Sequence, residues 1–552
     1  MTTIIDALRQ NVAFDPDKRF CRFIADGTST DLTYSNLWRR AHGFAQALRN
    51  GGVNPGEIVI IMIRHRIELY ASFIGTIIHG AIPSFMPCPS VKQRADIFWP
   101  SHRKLFDRIR PGGFITEADL IAPISEIVPA ETPILDVASA PRDGTERPVP
   151  GDADSIAFLQ HSSGTTGTKK GVMLSHRAVL EQVRSYAPTI AFDRDSHIAS
   201  WLPLYHDMGL IACLFTPLVC GASVTHMDAL EWTSNPLSLL DIIEVDRATH
   251  SWIPNFAFNH IAINRRRAKD RIWSLSSLRM MINCSEPCKA ESMEAFVAAF
   301  ADCGIGAKVP QICYAMAENV FAVTQTDPSA AIKCVSVSNS ALHDHIYSPA
   351  EGDDAKHIPS CGKVIPNVEI RITDADGQVL QDGRIGEICI RGACLFEGYY
   401  LLPDMTADKL KGEWYHSGDL GFLHEGELYV TGRLDDLIIV RGRNFYAHDI
   451  EAIISKLPGI KPGRVVVFSV ENSAIGTQDV ICLAEVNDLD ADPVTLRRLA
   501  KSEVETQSGL VLAKFQLHPV GTLVKTTSGK ISREMNMKLF VEEQFVTEGA
   551  HG

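Results

Sequence analysis

The sequence predicts an α/β protein with a large N-terminal domain at residues 1–433 and a smaller α+β C-terminal domain at residues 434–552. Two observations carry this prediction. In the first half, apolar runs of strand length alternate with segments of helical spacing, which is typical of βαβ units around a parallel sheet. After residue 436 a new alternation begins and extends over roughly a hundred residues, the size of an independent domain.

The first βαβ unit is predicted at residues 57–85. Residues 57–63 (EIVIIMI) form an apolar run of strand length, residues 67–79 have helical spacing, and Gly80 closes the helix. Residues 81–85 then resume an extended pattern. Two strands joined through one helix imply parallel pairing between them.

The alternation recurs further along the N-terminal half. A strand at residues 155–160 is followed by a helix that begins near Ser175 and by a strand at 198–202. The pattern returns over residues 237–244 and 248–253. These repeats extend the predicted parallel sheet.

The later part of the N-terminal domain has a different pattern of predicted elements. Short strands with glycine-rich turns at 362–430 predict a smaller β-rich subdomain, and the polar stretch at 324–360 is interpreted mainly as an inserted surface segment. The elements predicted for the C-terminal domain are strands at 437–440, 464–470 and 480–486 and helices at 449–457 and 493–507.

Composition and charge restrict the class of protein. Hydrophobic residues make up 45% and charged residues 22%, as in ordinary globular proteins. The formal net charge of −13 argues against a nucleic-acid partner, which demands a basic face. The most apolar long stretch, residues 58–85, contains Arg64, Arg66 and Glu68, so no membrane span is predicted.

The cysteines and the N-terminus indicate a cytoplasmic location. The thirteen cysteines are odd in number and scattered, which favours reduced thiols over a disulfide framework. Cys284 and Cys288 form the one close pair, and burial is favoured over a metal–thiolate site because no second Cys or His pair follows at zinc spacing. The first residues lack the basic and apolar regions of a signal peptide.

A segment rich in glycine and threonine precedes the helix that begins near Ser175. Residues 162–171 read SSGTTGTKKG, and small residues of this kind let backbone N–H groups, hydroxyls and a lysine surround phosphate oxygens. The segment does not fit G-x-x-x-x-G-K-[ST], because the residue directly before Lys170 is not a glycine, so it is not a P-loop of that class. By itself it is equally compatible with a flexible turn.

Seven segments in chain order resemble the motifs of the adenylate-forming superfamily, which includes acyl-CoA synthetases, nonribosomal peptide adenylation domains and luciferases. They are 163–171 (SGTTGTKKG), 201–209 (WLPLYHDMG), 283–287 (NCSEP), 314–318 (YAMAE), 415–419 (YHSGD), 432–436 (GRLDD) and 525–530 (KTTSGK). The sequences of four segments most resemble the fatty-acyl-AMP ligase branch: 202–209, 254–257, 426–433 and 437–444. Residues 324–360 lie where that branch carries an insertion that restricts domain movement.

The resemblance implies both a fold and a reaction. The implied fold has two stacked α/β subdomains and a β-rich subdomain in the N-terminal domain, followed by a mobile C-terminal domain. The implied reaction uses ATP and Mg²⁺ to convert a medium- or long-chain fatty acid to acyl-AMP, with release of pyrophosphate. The acyl group would then pass to the phosphopantetheine thiol of an acyl carrier protein.

The resemblance also implies roles for individual residues. The catalytic residues would be Lys530, His206 and Glu318, of which Lys530 bridges the carboxylate and the α-phosphate. Thr165 and Glu318 would hold magnesium, and Asp435 would be the hinge. The residues implied in nucleotide binding are Ser163, Gly164, Thr165, Thr166, Gly167, Lys170, Ser285, Glu286, Pro287, Tyr314, Ala315, Met316, Asp419 and Arg433.

Physical reasons support the principal assignments. The ring of Tyr314 offers a face for adenine, Asp419 can accept two ribose hydroxyls, and Arg433 can donate to ribose or phosphate. Oxygen ligands such as Glu318 suit a hard cation. His206 beside Asp207 is equally compatible with a structural role.

Other functions stay open, and the sequence departs from the family pattern in places. The alternatives are an acyl- or aryl-CoA ligase, and a homologue that acts only in binding or thioester transfer. Lys169 stands where proline is usual in the family. Ala315, Met316 and Asn319 stand where Gly, Leu and Ala are more typical.

Overall fold

The computed structural model describes residues 2–89, 95–144, 148–149, 151–162, 169–352, 355–440, 443–472, 477–486, 492–526 and 531–542. Strands and helices are numbered in chain order. The strands are β1 Arg19–Ala25, β2 Thr28–Thr33, β3 Ile58–Met62, β4 Ile82–Phe85, β5 Gly113–Thr116, β6 Ile134–Asp136, β7 Ile156–Ser162, β8 Lys170–Ser175, β9 His197–Ser200, β10 Ser223–Met227, β11 His250–Ile253, β12 Met280–Asn283, β13 Pro310–Ala315, β14 Ala322–Gln325, β15 Cys334–Ser338, β16 Ala355–Pro359, β17 Lys363–Val364, β18 Val368–Thr373, β19 Gly386–Gly392, β20 Leu410–Lys411, β21 Trp414–His424, β22 Glu427–Arg433, β23 Leu437–Val440, β24 Arg443–Tyr446, β25 Ile460–Asn472, β26 Thr477–Val486 and β27 Lys514–Pro519.

The α-helices flank these strands. They are α1 Ile4–Phe14, α2 Tyr34–Asn50, α3 Glu68–His79, α4 Ala95–Ile109, α5 Ala118–Ser125, α6 His176–Thr189, α7 Thr216–Cys220, α8 Ala229–Ser234, α9 Ser238–Asp246, α10 Asn255–Asn264, α11 Ala290–Phe300, α12 Asn339–His343, α13 Pro403–Lys409, α14 Ala447–Ile454, α15 Pro493–Ser508 and α16 Arg533–Val541.

Three of the sheets build the N-terminal part of the molecule. A nine-stranded sheet runs in the order β17-β14-β13-β12-β11-β9-β10-β1-β2, and its central strands are parallel. A four-stranded parallel sheet has the order β4-β3-β5-β6. Strands β18, β19, β20, β21 and β22 form a five-stranded antiparallel sheet. The predicted α/β fold with a β-rich subdomain therefore agrees with these sheets.

The first predicted βαβ unit is confirmed. Strands β3 and β4 pair in parallel, with Ile58 opposite Ile82, and α3 connects them. Gly80 ends α3 with a φ of 84°, a left-handed conformation that glycine adopts without steric cost.

The strand at 155–160 pairs differently from the prediction. It is β7, and it forms an antiparallel hairpin with β8, a strand that the sequence reasoning missed. Its expected place in a parallel βαβ unit is therefore wrong. The helix start near Ser175 is confirmed, because the Ser175 side chain accepts a hydrogen bond from the Ala178 N–H and caps α6.

The C-terminal part has a core of its own. Strands β25, β26 and β27 form a three-stranded sheet, and its apolar faces pack against helices α14 and α15 on one side and α16 on the other. The strands and helices predicted for this part are present within a few residues of their predicted ends.

Residues 324–360 are more than a surface segment. Val337, Leu342 and Ile358 are buried in a small core with Phe422 and Tyr446. The polar composition hid these three apolar side chains, because Val337 is flanked by serines and Leu342 and Ile358 each adjoin a histidine in the sequence.

No helix within the described ranges has both the length and the apolar character that a membrane crossing requires.

Candidate functional site

Four of the sequence motifs lie at one edge of the nine-stranded sheet. Residues 201–209 follow β9, residues 254–257 follow β11, residues 284–287 follow β12, and residues 316–318 follow β13. These strands are parallel, so their carboxyl ends meet at the same edge. In open α/β sheets this edge is where ligands bind.

The turn after β12 joins three of these motifs. Ser285 has a φ of 72°, which is uncommon for a residue with a side chain and is found at constrained turns. The Oε1 atom of Glu286 accepts a hydrogen bond of 2.6 Å from the backbone N–H of Phe256, at the start of α10. Cys284 Sγ lies 2.9 Å from the Met208 sulfur. The turn is thus fixed from two sides, and the adjacent Pro287 is exposed.

Tyr314, Asp419 and Arg433 form a hydrogen-bonded cluster. The Tyr314 hydroxyl donates to Asp419 Oδ2 over 2.7 Å, and Arg433 Nε donates to Asp419 Oδ1 over 3.0 Å. Burial and the Asp419 carboxylate raise the pKa of Tyr314 well above its usual value, which keeps the hydroxyl a donor. Since each carboxylate oxygen has two lone pairs, Asp419 can still accept ribose hydroxyls.

Glu387 holds the turn that leads to Asp419. Its Oε1 accepts a hydrogen bond of 2.9 Å from the Gly418 N–H, and its Oε2 lies 2.8 Å from His416 Nδ1. Ser417 adds a hydrogen bond of 2.6 Å to the Ile388 carbonyl. Strand β19 therefore positions the residues just before Asp419. Sequence reasoning missed Glu387, although it lies in a Gly-Glu pair that opens β19.

A second cluster surrounds Glu318. The Tyr399 hydroxyl donates to Glu318 Oε1 over 2.8 Å and lies 3.4 Å from the Tyr415 hydroxyl. The Lys170 ammonium lies 5.3 Å from the centroid of the Tyr399 ring. Burial, and then the Glu318 carboxylate, raise the pKa of Tyr399 well above its usual value. The Glu318 carboxylate and the Lys170 ammonium, from two distant motifs, therefore both lie beside Tyr399.

The backbone beside Glu318 is strained. Val320 has a φ of 60°, a true outlier for a β-branched residue. The N–H of Met316 donates to the Phe321 carbonyl over 2.9 Å, so residues 316–321 form a closed turn that begins directly after Ala315. Strain of this kind persists where the surrounding structure fixes it, and it concentrates at functional sites.

His206 lies beside this edge of the sheet. Its Nδ1 is 2.6 Å from Asp207 Oδ1, which also accepts a hydrogen bond from the Met208 N–H. The preceding residue, Tyr205, receives a hydrogen bond of 2.9 Å from Gln160 at its carbonyl. The contact with Asp207 orients the imidazole of His206. The catalytic role of His206 stays a prediction.

Asp435 lies in a short 3₁₀ turn, Leu434–Asp436, between the two parts of the chain, and its side chain is exposed. The neighbouring Asp436 is bound by Arg533 of α16, which also donates to Glu451 over 2.7 Å. The predicted hinge residue therefore lies next to an ion network that joins α16 to the connection between the two parts of the chain.

Two contacts join the segment at 324–360 to the C-terminal part. Lys356 Nζ lies 2.7 Å and 2.8 Å from the two carboxylate oxygens of Asp449. Asn444 Nδ2 lies 2.7 Å from His345 Nε2. Both contacts were missed by sequence reasoning, because neither residue type nor spacing signals a partner about ninety residues away.

Several predicted residues lie outside the described residues. They are Ser163, Gly164, Thr165, Thr166, Gly167 and Lys530. The flanking strands β7 and β8 are described, and Ser162 pairs with Lys170 at the base of the hairpin.

Comparison with known families decides the class of protein. A model described as AMP-binding enzyme matches residues 8–90 and 111–400, more than half of the chain. The chain belongs to the AMP-binding enzyme family. The predicted resemblance to the adenylate-forming superfamily is thereby confirmed, as is the prediction of an enzyme.

Individual relatives of this family member cover nearly its whole length. A medium-chain-fatty-acid–[acyl-carrier-protein] ligase, JamA of Moorena producens, is 27% identical and covers 98% of this chain and 95% of its own. FadD28 of Mycobacterium tuberculosis, a long-chain-fatty-acid–AMP ligase, is 28% identical over 94% of each chain. The same organism's fadD25, named as a fatty-acid–CoA ligase, is 28% identical and covers 98% of this chain and 97% of its own.

Solved structures confirm the predicted fold. A structure from a study of fatty acyl-adenylate ligases of E. coli and L. pneumophila superposes with a TM-score of 0.89 at 26% identity, covering 98% of both chains. A fatty acyl-adenylate ligase of L. pneumophila in complex with acyl adenylate and pyrophosphate has a TM-score of 0.76 at 27% identity, covering 98% of this chain and 96% of that one.

Proposed function

We propose that this AMP-binding enzyme activates a medium- or long-chain fatty acid with ATP, forming acyl-AMP and pyrophosphate. One observation carries the proposal. The Tyr314–Asp419–Arg433 cluster, suited to a nucleoside, and the Glu318–Lys170 cluster, suited to phosphate and a cation, lie beside the ligand-binding edge of the sheet. The relatives named as fatty-acid ligases support the substrate class.

The reaction joins two anions. A carboxylate oxygen of the fatty acid attacks the α-phosphorus of ATP, the bond from that phosphorus to the β-phosphate oxygen breaks, and pyrophosphate leaves. The protein needs to do little covalent chemistry, so positioning and charge neutralisation dominate. We assign the ring of Tyr314 to adenine, Asp419 to the ribose hydroxyls, and Arg433 to ribose or phosphate.

The residues around the phosphates have separate roles. Lys170 neutralises charge on the phosphates, together with the hydroxyls and backbone of the predicted residues Ser163, Gly164, Thr165, Thr166 and Gly167. Glu318 offers a carboxylate with Oε1 bound to Tyr399, which leaves Oε2 for a hard cation. Mg²⁺ held by Glu318 and Thr165 would neutralise the triphosphate.

The remaining assignments concern the turn after β12, the carboxylate and the domain movement. Ser285, Glu286 and Pro287 face the adenine side, and Ala315 and Met316 complete the wall next to Tyr314. His206 lies at the carboxylate, Lys530 bridges carboxylate and α-phosphate on closure of residues 434–552, and Asp435 absorbs the rotation. The thirteen free cysteines suit a cytoplasmic enzyme.

A pyrophosphate-release assay across fatty acids tests the activation step. We expect release to require both ATP and a fatty acid of medium or long chain, with aromatic acids inactive. Release without any acid, or with aromatic acids alone, would contradict the proposal.

For the second step, we propose that an acyl carrier protein is the acceptor. The contacts Lys356–Asp449 and His345–Asn444 tie the segment at 324–360 to the C-terminal part, which favours restricted domain movement. The relative named as an acyl-carrier-protein ligase supports the same acceptor. The CoA-ligase alternative stays open, because fadD25 carries that name.

Parallel reactions with CoA and with a phosphopantetheinylated carrier protein distinguish these acceptors. We expect acyl-carrier thioester and little acyl-CoA. Efficient acyl-CoA formation would make the chain a CoA ligase.

A further inference from the structure

Three potential metal ligands converge on one face of the five-stranded sheet. Glu387 and Cys389 lie two residues apart on β19, so their side chains point to the same face, and Cys389 is paired in register with His416 of β21. His416 Nδ1 lies 2.8 Å from Glu387 Oε2 and 3.4 Å from Cys389 Sγ. Within the described part of the chain, no other three His, Cys, Asp or Glu side chains bring ligand atoms within 4.8 Å of one another.

The thiol of Cys389 is buried on the polar side of this sheet. The neighbouring Ile388 and Ile390 point the opposite way, into the main hydrophobic core. Cys389 instead lies opposite Arg371 of β18 in the register, and its Sγ lies 3.3 Å from Thr373 Oγ1. Because a thiol is only a weak hydrogen-bonding group, the polar contacts on this face gain little from a cysteine.

The spacing of the three side chains fits a tetrahedral transition-metal ion. Zn²⁺ binds imidazole nitrogen and carboxylate oxygen at about 2.0–2.1 Å and thiolate sulfur at about 2.3 Å. In a tetrahedron, these bond lengths place the nitrogen about 3.5 Å from the sulfur and about 3.3 Å from the oxygen. The observed distances of 3.4 Å and 2.8 Å therefore need to open by about half an ångström or less, which small side-chain rotations can supply.

The chemistry of the ligands selects the class of ion. Thiolate and imidazole suit Zn²⁺ and related transition metals, whereas Mg²⁺ prefers oxygen ligands. On binding, the Cys389 thiol and the His416 Nδ1 each release a proton to solvent, because a metal ligand must be deprotonated. The Cys389 thiolate and the Glu387 carboxylate then carry two negative charges, which cancel the charge of a divalent ion. A site of this kind avoids the cost of burying an uncompensated charge.

The site is open to solvent on one side and holds the turn before Asp419 on the other. The side chains of Glu387 and His416 are 16% and 11% exposed, whereas Cys389 is fully buried. Three protein ligands leave the fourth tetrahedral position to water from the exposed side. Glu387 Oε1 accepts the hydrogen bond from the Gly418 N–H, so an ion on Oε2 would fix the carboxylate that positions this turn.

We propose that Glu387, Cys389 and His416 form a binding site for Zn²⁺ or a related transition-metal ion. The ion has a structural role, because it joins β19 to β21 and fixes the turn before Asp419. The ligands are distinct from the two residues assigned to magnesium, and they include a softer donor. Metal binding at this site is independent of the proposed reaction and is measurable without ATP or a fatty acid.

Titration of the metal-free enzyme with Co²⁺ tests the site. Co²⁺ replaces Zn²⁺ in tetrahedral sites, and a cysteine ligand gives a sulfur-to-cobalt charge-transfer band that nitrogen and oxygen ligands do not give. We expect this band in the wild-type enzyme, with saturation at a single equivalent and loss of the band when Zn²⁺ is added. The band should be absent from Cys389→Ala, and His416→Gln should bind Zn²⁺ about tenfold more weakly or worse.

Cys394→Ala is the matched control, because Cys394 is another fully buried cysteine and lies shortly after β19. This variant should keep the cobalt band. Saturating Zn²⁺ should raise Tm of the wild-type enzyme and of the control by about 2 °C or more, because an ion that binds only the folded state stabilises it. The Tm of Cys389→Ala should not change with Zn²⁺.

The absence of a charge-transfer band from the wild-type enzyme would overturn the assignment. A band of equal strength in Cys389→Ala, or an equal rise in Tm with Zn²⁺, would place the ion on other residues and would also overturn it. Circular dichroism checks that each variant is folded. If Cys389→Ala does not fold, His416→Gln decides, because undiminished Zn²⁺ affinity in that variant would contradict the site.

Discussion

The Tyr314 hydroxyl donates to the Asp419 carboxylate, so removal of the hydroxyl tests this contact of the nucleoside cluster. A hydrogen bond to a charged group contributes about 1.5–3 kcal/mol. We therefore expect Tyr314→Phe to raise KM for ATP about tenfold and to change kcat less, since the aromatic face remains.

Tyr347→Phe is the control for this variant, because Tyr347 stacks on Phe422 in a different core. Steady-state kinetics with ATP varied at saturating fatty acid make the measurement. An unchanged KM would remove the Tyr314 hydroxyl from nucleotide binding.

Glu387 gives a second residue-scale prediction. In Glu387→Gln, an amide N–H₂ group faces either the Gly418 N–H or the His416 Nδ1–H, so one of two hydrogen bonds is lost. We expect kcat/KM for ATP to fall about tenfold because the turn before Asp419 loosens. Glu413→Gln, at an exposed ion pair with Arg391, serves as the control and should have wild-type kinetics. Equal kinetics for both variants would show that Glu387 does not position Asp419.

At the scale of residues, the sequence was sufficient to predict candidate site residues but not the contacts between their side chains. Motif resemblance singled out Tyr314, Asp419 and Arg433, and the structure brings these three together. Tyr399 was missed because its link to Glu318 spans 81 residues, and a tyrosine has no special spacing that would reveal such a partner. Lys169 was noted only as a departure from proline, since its contact with His102 spans 67 residues.

At the scale of elements, the segment at 324–360 makes a distinct prediction. Lys356→Ala with Asn444→Ala removes the Lys356–Asp449 and His345–Asn444 contacts between this segment and the C-terminal part. If these contacts restrict domain movement, their loss should increase acyl-CoA formation about tenfold. A change of this size corresponds to a typical coupling free energy between two sites. Acyl-AMP formation should stay within about twofold of wild type.

Lys333→Ala is the matched control for this element. Lys333 lies in the same segment, but its ion pair is with Glu427 of β22, on the N-terminal side of the connection. Product analysis after incubation with CoA makes the comparison. If the double variant and the control formed the same small amount of acyl-CoA, the restriction would lie elsewhere.

Element boundaries were predictable wherever the pattern was local. The apolar run at β3 and the glycine that ends α3 are properties of consecutive residues, so sequence reasoning found them. The β7–β8 hairpin was mistaken for part of a βαβ unit, because the partner of a strand is set by long-range packing. The burial of Val337 and Ile358 was invisible for the same reason.

At the scale of the whole molecule, we assign nucleotide binding to residues 1–433 and catalysis to the meeting of these residues with residues 434–552. We expect Lys530→Ala to abolish pyrophosphate release and to retain the increase in Tm that ATP causes, because a ligand that binds only the folded state stabilises it. Thermal denaturation with and without ATP, together with the release assay, makes the measurement. Lys538→Ala is the control on nearby α16, where Lys538 is largely exposed and lies 3.8 Å from Glu542.

The elements of the C-terminal core were partly predictable. Its strands and helices were visible in the sequence as a restart of the alternation after residue 436. The ion network of Arg533, Asp436 and Glu451 at the connection was not visible, because its members are up to 97 residues apart.

The central claim is that a carboxylate oxygen of the fatty acid attacks the α-phosphorus of ATP. An isotope experiment tests it most directly. The enzyme is incubated with ATP, acceptor and a fatty acid labelled with ¹⁸O in its carboxylate, and mass spectrometry measures the ¹⁸O content of the products. We predict that one ¹⁸O atom appears in AMP and none in pyrophosphate. Label in inorganic phosphate with formation of ADP, or AMP without label, would contradict the account.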